Sequence, residues 1–158
     1  MATLESILAE HPFFEDLDAS HSDQLLNCVS NRFIRANHFV FREGEPANEF
    51  FVIREGQLAV EAPTVDGPLI VQTLDAGSIV GWSWLIPPFR WRFDVRALRD
   101  TLLLSLSAPC LREKCAQNHE LGYELHRRFS RIMAQRLEGA MLRLLDVQER
   151  SHELVQEL

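Results

Sequence analysis

Gly81-Trp82-Ser83-Trp84-Leu85-Ile86-Pro87-Pro88-Phe89-Arg90-Trp91-Arg92 holds all three tryptophans of the chain and two of its seven prolines. Adjacent prolines exclude a helix interior, and the aromatic content is too high for an ordinary surface loop. Ser78-Ile79-Val80 leads in and Phe93-Asp94-Val95-Arg96-Ala97 leads out with strand-like alternation. The stretch is therefore carried on a β-scaffold. Alternation predicts that Trp91, Phe93, Val95 and Ala97 share an interior face, with Arg90, Arg92, Asp94 and Arg96 on the other.

Working outward, the period-two pattern recurs on both sides. Arg32–Arg35, His38–Arg42, Phe50–Arg54, Gln57–Glu61 and Leu69–Leu74 read as strands. Glu43-Gly44-Glu45-Pro46, Glu55-Gly56, Asp66-Gly67 and Asp75-Ala76-Gly77 read as the turns between them. Thr101–Leu106 is a nearly unbroken apolar run, which predicts a strand buried on both faces. Ahead of the strands, Thr3 caps a helix over Leu4–Glu10 that His11-Pro12 ends. Asp18 or Ser20 caps a second helix over His21–Ser30. After the strands, Ser107–Gln117 reads as a short helix that tolerates Pro109 in its first turn.

From Asn118 onward the chain contains no proline. Leu137, Leu144, Ser151 and Leu158 recur every seventh residue, as do Met133, Ala140, Val147 and Leu154. Arg136, Arg143 and Arg150 flank this seam, which predicts a parallel helix pair between two copies; packing on the chain's own sheets is the alternative. The expected fold is α+β: a mainly antiparallel, jelly-roll-like β-roll of about eight strands, with N-terminal helices and a long C-terminal helix. Residues 1–117 form the lead-in, roll and short helix, and residues 118–158 the dimerisation helix with Met133, Leu137, Ala140, Leu144, Val147 and Leu154 at the interface.

Composition narrows the function. An apolar fraction of 46% and a charged fraction of 25% are those of a globular protein. No run is long enough to span a bilayer, and Met1–Ser6 has no basic region followed by an apolar one, so neither a membrane nor a secretory signal is expected. Three cysteines, Cys28, Cys110 and Cys115, predict reduced thiols and a cytoplasmic location. A net charge of −7, without a basic cluster, argues against nucleic acid as a partner. Cys110, Cys115 and His119 lack metal-ligand spacing, His38 stands alone, and Ser83 lacks the second glycine of a nucleophile elbow. Asp94 and Asp100 form no acid–base pair. No metal, cofactor or catalytic residue is expected.

The order of elements, with Phe41-Arg42-Glu43-Gly44-Glu45-Pro46-Ala47, Phe50-Phe51-Val52-Ile53, Gly56, Val60, Leu74, Gly77, Gly81 and Val95-Arg96-Ala97, resembles the cyclic nucleotide-binding domain family, as in catabolite activator-like sensors. The resemblance covers about Phe13 to the end. It implies that Gly81 opens a phosphate-binding cassette in which backbone amides and an arginine hold the cyclic phosphate. A glutamate just after the glycine would hold the ribose hydroxyl. Trp82 stands at the glutamate position and Trp91 at the arginine position, and Pro87-Pro88 removes two amide donors.

The resemblance implies a non-enzymatic regulatory or sensor domain, dimeric and not a typical cyclic-AMP binder, with Gly81, Trp82, Ser83, Trp84, Arg90, Trp91 and Arg92 as the ligand-facing set. Three readings stay open. Arg90 or Arg92 replaces the missing arginine and a cyclic nucleotide binds. Alternatively Trp82, Trp84, Phe89 and Trp91 line a cavity for another small-molecule effector. Or the indoles fill the pocket and the domain is a ligand-free module for a protein partner. In related transcription regulators the long helix leads into a DNA-binding domain. A chain ending at Leu158 is expected to lack one.

Overall fold

The computed structural model describes residues 3–157; Met1, Ala2 and Leu158, the last place of the heptad row, lie outside the described residues. Four helices and eight strands are present among them: α1 Leu4–Glu10, α2 Ala19–Leu26, β1 Val29–Ile34, β2 Phe39–Phe41, β3 Glu49–Glu55, β4 Gln57–Thr64, β5 Gly67–Asp75, β6 Ile79–Val80, β7 Asp94–Ala97, β8 Thr101–Ser107, α3 Ala108–Gln117 and α4 His119–Gln156. The strands form two four-stranded sheets, ordered β1-β8-β3-β6 and β2-β7-β4-β5, with every pair antiparallel. This is the anticipated β-roll with flanking helices. The chain divides into two compact units, Met1–Leu121 and Gly122–Leu158.

Local chemistry explains most boundaries. Thr3 caps α1 by accepting the Ser6 amide, and Ser107 caps α3 by accepting the Cys110 amide. Pro109 sits in the first turn of α3, where its missing N–H costs no helical bond. Gly56 turns β3 into β4 at φ +108°, and a Cβ there would collide with the side chain and backbone of Thr101. In β8, Leu103, Leu104 and Leu106 are fully buried and so is Thr101. The unbroken apolar run thus lies inside the roll, with each leucine contributing about 1.5–3 kcal/mol of transfer free energy.

The N-terminal helices are tied to the roll by His11. Its Nδ1 accepts the Phe13 amide at 3.2 Å, so Nε2 carries the proton and donates to the Ile53 carbonyl at 3.0 Å. Both ring nitrogens are satisfied in the neutral form. Burial lowers the His11 pKa, and the hydrogen bond to Ile53 offsets part of that shift.

Three expectations are corrected. The second helix was expected over His21–Ser30, but α2 covers Ala19–Leu26. Val29 and Ser30 pair instead with Leu106 and Ser105 of β8, so tertiary pairing overrides local helix preference. The interior face expected for residues 91–97 fails at Phe93, which is 38% exposed. β7 begins only at Asp94, so the two-residue period does not reach back to it. Third, the thiols are not all reduced. Cys28 and Cys110 are joined, with Cα atoms 5.6 Å apart, and Cys115 alone is free. The register Val29↔Leu106, with the Ser107 amide donating to the Cys28 carbonyl, brings together cysteines 82 positions apart.

The unit Gly122–Leu158 is the greater part of α4. Glu124 pairs with Arg127 at 2.8 Å, and Asp146 with Arg150 at 3.2 Å, along its surface.

Candidate functional site

Gly81 follows β6 directly and takes φ +98°, which turns the chain out of the sheet. Trp82 then leads a single 3-10 turn over Ser83–Leu85. The Pro87–Pro88 peptide is cis, and Phe89 has φ 57°. The return to β7 is held by main-chain bonds to the β2–β3 connection. Gly44 N donates to Trp91 O at 2.8 Å, Trp91 N to Glu45 O at 3.0 Å, and Ala47 N to Phe89 O at 2.7 Å. Residues 44–47 and 89–91 therefore form a short backbone ladder around the Pro46↔Arg90 bridge.

The tryptophans stack on different partners. Trp91 is 6% exposed and stacks on Phe41, with ring centroids 3.8 Å apart and planes 9° from parallel. Phe41 in turn stacks on Phe51 at 6.2 Å, and the Arg32 guanidinium lies 5.3 Å from the Phe51 centroid. Trp84 stacks on a different ring, Phe50, at 5.4 Å and is buried. Trp82 and Gly81 are half-buried, and Ser83 is buried. A Cβ at Gly81 would fall 2.5 Å from Trp91 Cη2, so the glycine and the indole edge share one space.

The arginines face elsewhere. Arg90 is exposed, and its Nη1 donates to the Gly44 carbonyl at 2.8 Å; Arg92 is exposed too. Phe89, 37% exposed, carries the Arg112 guanidinium over its face at 4.4 Å. Arg112 Nη2 also donates to the Trp84 carbonyl at 2.6 Å. One arginine of α3 thus grips two points of the loop, Trp84 and Phe89, by a charge-assisted hydrogen bond and a cation–π contact. Nothing in the sequence singled out Arg112, because its partners are a carbonyl and a ring brought close only by the fold.

Next to the cassette, β4 and β7 carry a buried ion pair. Glu61 is 2% exposed and accepts from Arg96 Nε at 2.6 Å. The register pairs Ala59 with Arg96 and Glu61 with Asp94, so these residues share one sheet face. Asp94 also accepts the Glu43 amide at 2.7 Å, and Asp100 accepts the Ala36 amide at 2.9 Å. Both aspartates therefore brace loops. His38 is exposed and lies 3.2 Å from the Ala36 carbonyl. Among the described residues, no group of three or more His, Cys, Asp or Glu is placed to hold a metal ion. No described helix is long and apolar enough to cross a membrane.

On α4, Met133 is half-buried and Ala140 is exposed. Leu137, Leu144, Val147 and Leu154 are each 59–64% exposed. Met141, Leu142, Leu145 and Val155, off the heptad seam, are exposed as well.

The cyclic nucleotide-binding domain family matches residues 31–118, which include α3, the stretch after Gly81 and both sheets apart from Val29 and Ser30 of β1. An NTE family protein of Mycobacterium tuberculosis is 25% identical over 124 residues, 78% of this chain. The chain spans about a fifth (21%) of that relative's length. The anaerobic regulatory protein of Bacillus subtilis is 28% identical over 122 residues, covering 75% of this chain and 51% of that one. Among solved structures, a cyclic nucleotide-binding domain from Methylobacillus flagellatus superimposes with a TM-score of 0.79 at 19% identity, covering 89% of this chain and 82% of the other. With the two-sheet roll and the family match coinciding on one stretch, this chain belongs to the cyclic nucleotide-binding domain family and is a regulatory or sensor domain of that kind.

Proposed function

We propose that this domain regulates without catalysis and without taking a cyclic nucleotide through the family's usual contacts, its cassette being closed by its own side chains. The observation that carries this reading is Trp91 stacked on Phe41 and pressed against Gly81. An indole offers one N–H donor and no charge where the resemblance calls for a guanidinium. Moving Trp91 aside for an anion would expose about 200 Å² of ring, at a cost of about 5 kcal/mol. That cost corresponds to more than three orders of magnitude in affinity. Arg90 and Arg92 do not compensate, since the first is engaged with Gly44 and both are exposed.

In this reading residues 1–117 are the regulatory body, and the helix over residues 118–158 dimerises through Met133, Leu137, Ala140, Leu144, Val147 and Leu154. The exposure of its leucines supports that role, because a row of large apolar side chains in water favours a partner helix. The output is then a contact with another protein, carried by the dimer. Isothermal titration with cyclic AMP and cyclic GMP tests the closed cassette. No saturable heat is expected up to about 1 mM ligand, the affinity left when several kcal/mol are spent on opening the stack. Micromolar binding of either nucleotide overturns the proposal.

A further inference from the structure

We propose that the Cys28–Cys110 bond is a thiol–disulfide exchange site through which a dithiol controls the cassette: the closed bond holds α3 in place, and opening it frees the cassette loop. The bond joins the segment between α2 and β1 to the first turn of α3. Two residues beyond Cys110 on α3 stands Arg112, which grips the Trp84 carbonyl and the Phe89 ring. The cassette is thereby connected to the sulfur bridge through a single helical turn. α3 is also held by the Ser107 cap, by the Ala108 amide donating to Asn48 O, by the Asn118 side-chain amide at its C-cap donating to Gln24 at 3.1 Å, and by buried Ala108 and Leu111.

The two sulfurs differ in access. Cys28 is 6% exposed, whereas Cys110 is half-buried and is the sulfur an incoming thiolate reaches. Attack of one thiolate of the dithiol on Cys110 Sγ forms a mixed disulfide. The Cys28 sulfur leaves with the bonding electron pair and takes up a proton. The second thiol of the dithiol then displaces Cys110, so the dithiol is oxidised to its disulfide and the protein bond is reduced by two electrons. The bond does not migrate to the third cysteine. Cys115 follows Cys110 by five positions on α3, about 140° around the helix, and burial raises its thiol pKa.

Hydrogen exchange of the full chain, oxidised and after dithiothreitol, tests the switch. Reduction is expected to speed exchange of the amides in residues 82–89 about tenfold while β3 and β8 stay protected, the signature of local opening. Reoxidation restores the slow rate. Cys28→Ser/Cys110→Ser shows the fast rate with or without dithiothreitol. Arg112→Gln shows it even when oxidised, because the grip itself is gone. An unchanged cassette rate on reduction overturns the proposal. So does loss of protection throughout the sheets, which makes the bond a global staple only. Alkylation of three thiols in the air-oxidised protein also refutes it.

Discussion

The indole of Trp91 occupies the volume that any side chain at Gly81 would need: a Cβ there would sit 2.5 Å from Cη2 and 2.8 Å from Cζ3. Glycine is required at position 81 twice over, by its φ of +98° and by its neighbour. Gly81→Ala should therefore cost about 2–4 kcal/mol, combining left-handed backbone strain with overpacking. In a Trp91→Leu background the same change should cost at least about 1 kcal/mol less, as contacting residues couple. Urea unfolding of the four proteins in this cycle measures the coupling. Strict additivity would mean that the indole does not press on residue 81.

The Glu61–Arg96 pair should be asymmetric to mutation. Arg96→Met leaves a carboxylate that is 2% exposed without its cation, and about 3–5 kcal/mol should be lost. Glu61→Gln leaves Arg96, whose side chain is 30% exposed, able to reach water, so its cost should be smaller. Equal losses in chemical denaturation would contradict the burial difference between the partners.

Acid should weaken the fold through His11. Its folded pKa is lowered from the usual 6.5, so the unfolded chain binds the proton more readily. The stability that comes from keeping it neutral is complete above pH 6.5 and is lost as pH falls below 6.5 toward the folded value. Unfolding free energies measured from pH 8 to pH 5 should decline over that window. The decline should flatten in His11→Asn, although this variant is less stable at pH 8. An NMR titration that shows His11 protonating at or above its usual pKa would refute the assignment.

The dimer proposed for α4 can be broken without touching the roll. Leu144→Glu/Val147→Glu places charge at two residues that are 59% and 60% exposed in the single chain, so each protomer should remain folded. Light scattering should show a dimer for the unmodified protein and a monomer for the double variant. A double variant that stays dimeric would move the interface elsewhere.

Much of the fold was legible because its causes are local. The cap at Thr3, the Ser107-Pro109 start of α3 and the apolar run of β8 were each read within a few residues of where they act. What escaped depends on residues far apart in the chain. The Cys28–Cys110 bond follows from the β1–β8 register, and no spacing in the sequence encodes it. The alternation around Trp91 correctly put the indole inside, but its partner Phe41 lies on another strand. The same alternation misplaced Phe93, because pairing begins one residue later. The row on α4 was readable as a period, whereas what covers such a row is a property of a second surface.

The ladder between residues 44–47 and 89–91 uses only amides and carbonyls, apart from the Arg90 side chain that bonds back to Gly44. Peptide groups are alike whatever non-proline side chain they carry, so these ladder bonds do not themselves depend on the side chain at position 91. Substitution of Trp91 can therefore change what fills the space beside Gly81 while leaving the path of the chain intact.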